Sequence, residues 1–179
     1  RVLAVFLLAV LWVSTAQAAL GFDGPRLVNT DGIEDFDFNV SAQIATDKAG
    51  NWVVVWQQKF RVRGVADPEL FVSRSTDNGA TWADETILHP AGDAIEGKDS
   101  NAQIAANDSG TFIIVWESDK AIADTGADSD LFYSRSVDGG VMSSDPAPLN
   151  TNATTDSGFD HAPHIAMDDN GECMVAWHS

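Results

Sequence analysis

Apolar residues in this chain fall into short runs rather than helical stripes, and the runs recur. Trp52–Trp56, Phe112–Trp116 and Cys173–Trp177 are continuous apolar stretches, each closing on a tryptophan. Each follows a segment of strand character: Gln43-Ile44-Ala45, Gln103-Ile104-Ala105 or His164-Ile165-Ala166, whose starts lie 60 and 61 residues apart. A glycine (Gly50, Gly110, Gly171) separates segment from run every time. Downstream, Leu70–Ser75 returns as Leu131–Ser136. Several anchors holding one period mark a repeat architecture.

Each repeat reads as four short strands with turn residues between them. Strand A is the Gln-Ile-Ala segment. Strand B, apolar on both faces, suits an inner strand covered on each side. Strand C is Leu70–Ser75 and strand D is Trp82–Leu88 in the first repeat. Four strands in about 60 residues predict an all-β protein of four-stranded antiparallel propeller blades, not a sandwich. Blade 1 is expected over 41–88, blade 2 over 101–149 and the start of a third over 162–179, about two and a half blades within 19–179. Shifting Trp82 and Ile87 back by 60 residues lands on Phe22 and Leu27, so 22–28 reads as an orphan strand D. It is expected to complete the last blade of a ring, which makes the chain an N-terminal fragment of a longer protein.

Composition adds a compartment and removes partners. Arg1, the apolar run Val2–Val13 and Ala16-Gln17-Ala18 read as a secretory signal over 1–18, too short to span a bilayer. Without it, 9 Lys and Arg stand against 27 Asp and Glu. Such an acidic chain argues against nucleic acid and anionic membrane as partners. The expectation is a secreted protein, extracellular or periplasmic, with no membrane insertion after signal cleavage and a glycan or an extracellular protein as ligand. Cys173, the single cysteine, is expected to be a buried apolar side chain of strand B.

The stretch Ser75-Thr76-Asp77-Asn78-Gly79-Ala80-Thr81-Trp82 has the form S-x-D-x-G-x-x-W. Asp77 can accept N–H bonds within its own turn, Gly79 can take positive φ, and Asn-Gly is a strong hairpin signal. A weaker copy has Ser136, Asp138 and Gly140, with Ser143 in place of Trp82. This pattern resembles the Asp-box of the sialidase-like (BNR repeat) β-propellers. The resemblance implies an exo-glycosidase that removes terminal sialic acid, using three arginines, a Tyr–Glu nucleophile pair and an Asp general acid. Carried over by position, Asp67 is the nearest equivalent of the acid, and Arg61 and Arg63 lie in the same connection to grip a carboxylate. The strand-A arginine of that family has no counterpart, since Gln43, Gln103 and His164 stand there.

Residues that repeat are architectural before they are functional. Trp56, Trp116 and Trp177 are therefore expected to pack between blades, and Arg74 and Arg135 to make structural bonds. The B–C and D–A connections depart from the repeat and share one face. Lys59, Arg61, Arg63 and Asp67 fall in the first B–C connection, Asp119, Lys120, Asp124, Asp128 and Asp130 in the second. The D–A connections carry Asp31, Glu34, Asp35 and Asp37, then Asp93, Glu96, Lys98 and Asp99, then Asp156, Asp160 and His161. They read as solvated acidic loops or as a binding face. The A–B turns (Asp47–Asn51, Asn107–Thr111, Asp168–Glu172) superficially resemble calcium loops without the full ligand spacing, so calcium stays open as a cofactor somewhere among the acidic loops. Three functions remain: a ligand- or glycan-binding propeller with no catalytic set in this fragment, a sialidase-like hydrolase completed by later blades, and a scaffold.

Overall fold

The computed structural model describes residues 28–29, 38–62, 65–89, 97–126, 128–142 and 144–179. The signal-like segment 1–18 and residues 22–27 lie outside the described residues, as do Arg63 and Ser143. Ten strands form three antiparallel sheets. The first is β1 (Phe38–Thr46), β2 (Trp52–Val62), β3 (Val65–Ser75) and β4 (Thr86–Ile87), in that order. The second repeats it with β5 (Asp99–Ala106), β6 (Phe112–Ser118), β7 (Asp130–Ser136) and β8 (Ala147–Pro148). The third is the pair β9 (His161–Met167) and β10 (Cys173–His178). Strand A of each sheet lies against strand A of the next, β1 beside β5 and β5 beside β9.

The continuous apolar runs are inner strands because both their faces are covered. Val53, Val55, Ile114, Val115 and Trp116 are all buried, the last four completely. A cross-strand aromatic pair recurs in register: Trp56 opposite Phe71 and Trp116 opposite Phe132, stacked with centroids 6.1 and 6.2 Å apart. Such pairs add to what burial alone supplies. Strand D is shorter than its sequence suggests, since only Thr86–Ile87 and Ala147–Pro148 pair with strand C.

Turn chemistry is satisfied locally. Ser75 Oγ accepts the N–H of Gly79 at 2.9 Å and donates to Asp77 Oδ1 at 2.8 Å. Asp77 in turn accepts the Thr81 N–H at 2.8 Å and its hydroxyl at 2.7 Å. Ser136, Asp138 and Gly140 make the equivalent Ser75-type bonds. Asn78 and Gly79 both have positive φ, 59° and 79°, as a type I′ turn demands. In the A–B turns, Asp47, Asn107 and Asp168 each accept two N–H groups of their own loop. Those bonds account for Asp, Asn and Gly there without a cation.

Turns also tie blade to blade. The Arg74 guanidinium donates to Gly139 O of the next blade at 2.6 Å and to Asn51 Oδ1 at 3.2 Å. Arg135, its repeat partner, is exposed. Two expectations change at the third sheet. Cys173 is exposed rather than buried, and Trp177 is 39 % exposed, because among the described residues nothing covers that face of β10.

Glycine turns separate two kinds of strain. A Cβ on Gly79 would meet only Trp82, at 3.8 Å, whereas one on Gly140 (φ 99°) would fall 2.3 Å from Val53. Gly79→Ala is expected to cost about 1 kcal/mol, the strain of a left-handed residue bearing a Cβ. Gly140→Ala adds overpacking and is expected to cost about 2–4 kcal/mol. Urea unfolding of both variants checks the order, and equal losses would contradict it.

Candidate functional site

Antiparallel pairing puts the A–B and C–D turns at one end of each sheet and the B–C and D–A connections at the other. At that second end every strand A carries an irregular step. The pairing shifts between Val40 and Gln43, between Ser100 and Gln103, and opposite Ala176–His178. Ser41, Asn101 and Ala162 sit at these steps with φ of 57°, 52° and 51°. Bulges of this kind re-aim a strand end and are common beside sites.

Glu117, at the end of β6, holds two of these steps together. Its Oε1 accepts the Asn101 amide at 2.6 Å and the Ser100 hydroxyl at 3.0 Å. Its Oε2 accepts the Ala162 N–H of the next sheet at 3.0 Å and lies 3.7 Å from His161 Nδ1. Asp119 accepts the Lys98 N–H at 2.5 Å, joining the B–C and D–A connections. Lys98, Ser100, Glu117 and Asp119, with Ser129, Phe159 and His161, line an open cavity of about 230 Å³. Phe159 stacks on His161 at 5.7 Å and is 61 % exposed, a flat apolar surface at a polar rim. The two carboxylates accept backbone and side-chain donors, an arrangement suited to binding hydroxyls more than to moving protons.

Beneath this face lies a charged joint between the first two sheets. Lys120 Nζ donates to Glu69 and stands 3.5 Å from Asp99, with all three side chains at most 2 % exposed. Asp99 also accepts the Trp116 indole N–H at 3.2 Å, and its carbonyl accepts Gln57 Nε2 at 2.9 Å. Lys120 and Asp99, expected in solvated loops, are core residues instead. Burial raises Glu69 from an ordinary 4.5 to about 8, against the lowering influence of the Lys120 ammonium.

The same frame recurs 61 residues on with altered chemistry. Asp130 replaces Glu69, Asp160 replaces Asp99, and the Trp177 indole N–H donates to Asp160 at 3.0 Å. Asn150, which replaces His89, donates to Asp130 at 2.8 Å and to Asp160 at 2.7 Å. Burial raises the Asp130 carboxyl, and the charges of Asp128, Asp156 and Asp160 raise it further against the Asn150 hydrogen bond.

The sequence-predicted site residues fall elsewhere. Asp67 pairs with Phe60 and Arg61 with Ala66, inside an unbroken ladder of β2 and β3 that runs to Val62 and Val65. The first B–C connection is thus a long ribbon rather than a loop, because continued pairing, not turn chemistry, satisfies its backbone. The second is a loop and carries the cavity. Lys98, Asp119 and His161 were legible as connection residues; Glu117, Phe159 and the buried Glu69 were not singled out. The spacing that equates Glu69 with Asp130 was available in the repeat.

No protein-family profile matches the chain, and no curated protein matches it at a significant level. Among solved structures, the endo-arabinase from Bacteroides thetaiotaomicron aligns with TM-score 0.51 and 18% identity over 79% of this chain and 51% of its own. The fold is a β-propeller. A second solved structure, the Hadza microbial sialidase Hz136, aligns with TM-score 0.48 and 18% identity over 60% of this chain and 25% of its own. The propeller chain thus spans about half of the first structure and a quarter of the second.

The buried joint of this propeller has a measurable pH signature. Glu69 is raised in the folded state, so its contribution to stability is complete below about pH 4.5 and is lost as pH rises through about 8. Stability is expected to fall between those values, and Glu69→Gln is expected to flatten the fall. Lys120→Ala is expected to cost about 3–5 kcal/mol by leaving buried carboxylates without a partner. Denaturant midpoints across pH check both, and an unchanged profile in Glu69→Gln would reject the assignment.

Proposed function

We propose that this chain belongs to a secreted propeller that binds a glycan in the cavity between its second and third sheets. The supporting observation is the exposed Phe159 face, stacked on His161 beside Glu117, Asp119 and the Ser100 and Ser129 hydroxyls. Sugars present flat C–H faces ringed by hydroxyls, which match an aromatic plane bordered by carboxylate acceptors. The acidic surface fits a neutral or cationic glycan, or an extracellular protein, better than an anionic polymer. Among the described residues no helix is long and apolar enough to cross a membrane.

The alternative is an exo-sialidase-like hydrolase, with Asp67 as general acid and Arg61 and Arg63 gripping a carboxylate. What favours it is the Asp-box pattern together with the neighbouring register positions of Asp67 and Arg61 in one ribbon. The remaining catalytic residues of that reading would come from further blades.

A glycan array probed with the full-length protein, followed by calorimetry on the best hit, separates the two readings. Phe159→Ala is expected to weaken binding about tenfold, near 1.4 kcal/mol, without loss of fold. Unchanged binding in that variant would remove the cavity from the proposal. Turnover of a sialoside that Asp67→Ala abolishes would replace binding by hydrolysis.

A further inference from the structure

The two inter-sheet joints differ in the groups that bridge their carboxylates. In the first, a lysine ammonium sits between Glu69 and Asp99. In the second, the neutral Asn150 amide bridges Asp130 and Asp160, and among the described residues no Lys or Arg ion pair reaches either carboxylate. Two further acids, Asp128 from the B–C connection and Asp156 from the D–A connection, converge there. Asp128, Asp130 and Asp156 each bring a carboxylate oxygen to within 4.8 Å of the other two.

Hydrogen bonding leaves this cluster unfinished. Asp130 is fully buried, yet its Oδ2 has no hydrogen-bond partner among the described residues. Asp128 Oδ2 and Asp156 Oδ1 are buried atoms in the same condition. A buried carboxylate oxygen without a donor carries a desolvation penalty of several kcal/mol, which a facing positive charge offsets. Three carboxylates gathered this closely, each with a buried oxygen that lacks a donor, mark a cation position rather than a solvated acidic loop.

We propose that Asp128, Asp130 and Asp156 bind a divalent cation of the Ca²⁺ type at the joint between the second and third sheets. The ligand set is all oxygen, which selects hard cations over zinc or copper. Ca²⁺ takes carboxylate oxygens at about 2.3–2.6 Å in flexible geometry, whereas Mg²⁺ demands a near-ideal octahedron and keeps several waters, so a site of three carboxylates at a joint between sheets suits calcium better. Asn150 orients the outer oxygens of Asp130 and Asp160 in the manner of a supporting hydrogen bond. The site does not depend on the glycan-binding reading and concerns different residues.

The test uses the full-length protein, stripped with a chelator and titrated with Ca²⁺ and separately with Mg²⁺. Ca²⁺ is expected to raise the melting temperature in a saturable way and Mg²⁺ to do so more weakly. Asp128→Asn and Asp156→Asn, both partly exposed positions, are expected to fold and to weaken Ca²⁺ binding about tenfold or more, because ligand charge sets affinity. Tb³⁺ replacing Ca²⁺ is expected to emit on excitation of tryptophan, since Trp177 bonds to the adjacent Asp160, and the two variants are expected to lose that emission. Absence of any Ca²⁺ effect up to about 10 mM, tenfold above the weak extracellular range, would overturn the proposal. So would binding that both variants retain. A lysine of a following segment seated against Asp130, as Lys120 is against Glu69, would produce the first of these results.

Discussion

Asp99 is the residue on which the joining of the sheets depends. Its carboxylate accepts the Trp116 indole within its own sheet and faces Lys120, while its carbonyl takes the Gln57 amide from the sheet before. With a single cysteine among these residues, the described sheets are held to one another by packing and by such bonds. Apolar faces alone tolerate sliding, because burial is proportional to area and indifferent to direction. A buried carboxylate with fixed donors is directional, and a misplaced sheet would leave it uncompensated at a cost of several kcal/mol. The register between sheets is thereby specified, in the sense that only one docking satisfies Asp99 and Glu69 together.

The second joint keeps that geometry with different side chains. Asp160 accepts the Trp177 indole as Asp99 accepts that of Trp116, and it is held further by Ser129, whose hydroxyl donates to its carbonyl at 3.3 Å. The Asp160 N–H returns a bond to Ser129 O at 2.8 Å. Asn150, at the position of His89, donates one bond to each of the two carboxylates, Asp130 and Asp160, as a neutral bridge. Divergence within a conserved frame is more informative than an acidic loop alone, because the frame shows what the position requires.

Much of the fold was legible in the chain. The Trp-terminated apolar runs, the Asn-Gly turn and the 60–61-residue period define the sheets because they express local rules: burial on two faces, positive φ and strand alternation. The site was less legible because it is assembled from residues far apart in the sequence. Glu117 looks like the polar end of strand B, and its role appears only when Asn101 and Ala162 bring donors to it from two different bulges. Lys120 looks like a loop cation, and its burial depends on Glu69 in the preceding sheet. Asp67 and Arg61 were placed in a loop because polar and charged residues there outnumber the turn signals of a hairpin, yet the ladder of β2 and β3 continues past them.

The cavity and the acidic cluster share a wall, and the sharing has a mechanical consequence. Ser129 lines the cavity and lies in sequence between Asp128 and Asp130, so anything that fixes those two carboxylates also fixes the cavity rim. On the other side, Phe159 precedes Asp160, whose backbone is tied to Ser129 and whose side chain is tied to Asn150 and Trp177. The aromatic platform is thus carried by a residue whose neighbour is anchored at four points. A rigid platform loses less entropy when a ligand stacks on it, so the charged joint below would preorganise the proposed binding face above. In this molecule the part that holds two sheets together and the face proposed to bind a ligand are successive layers of one structure.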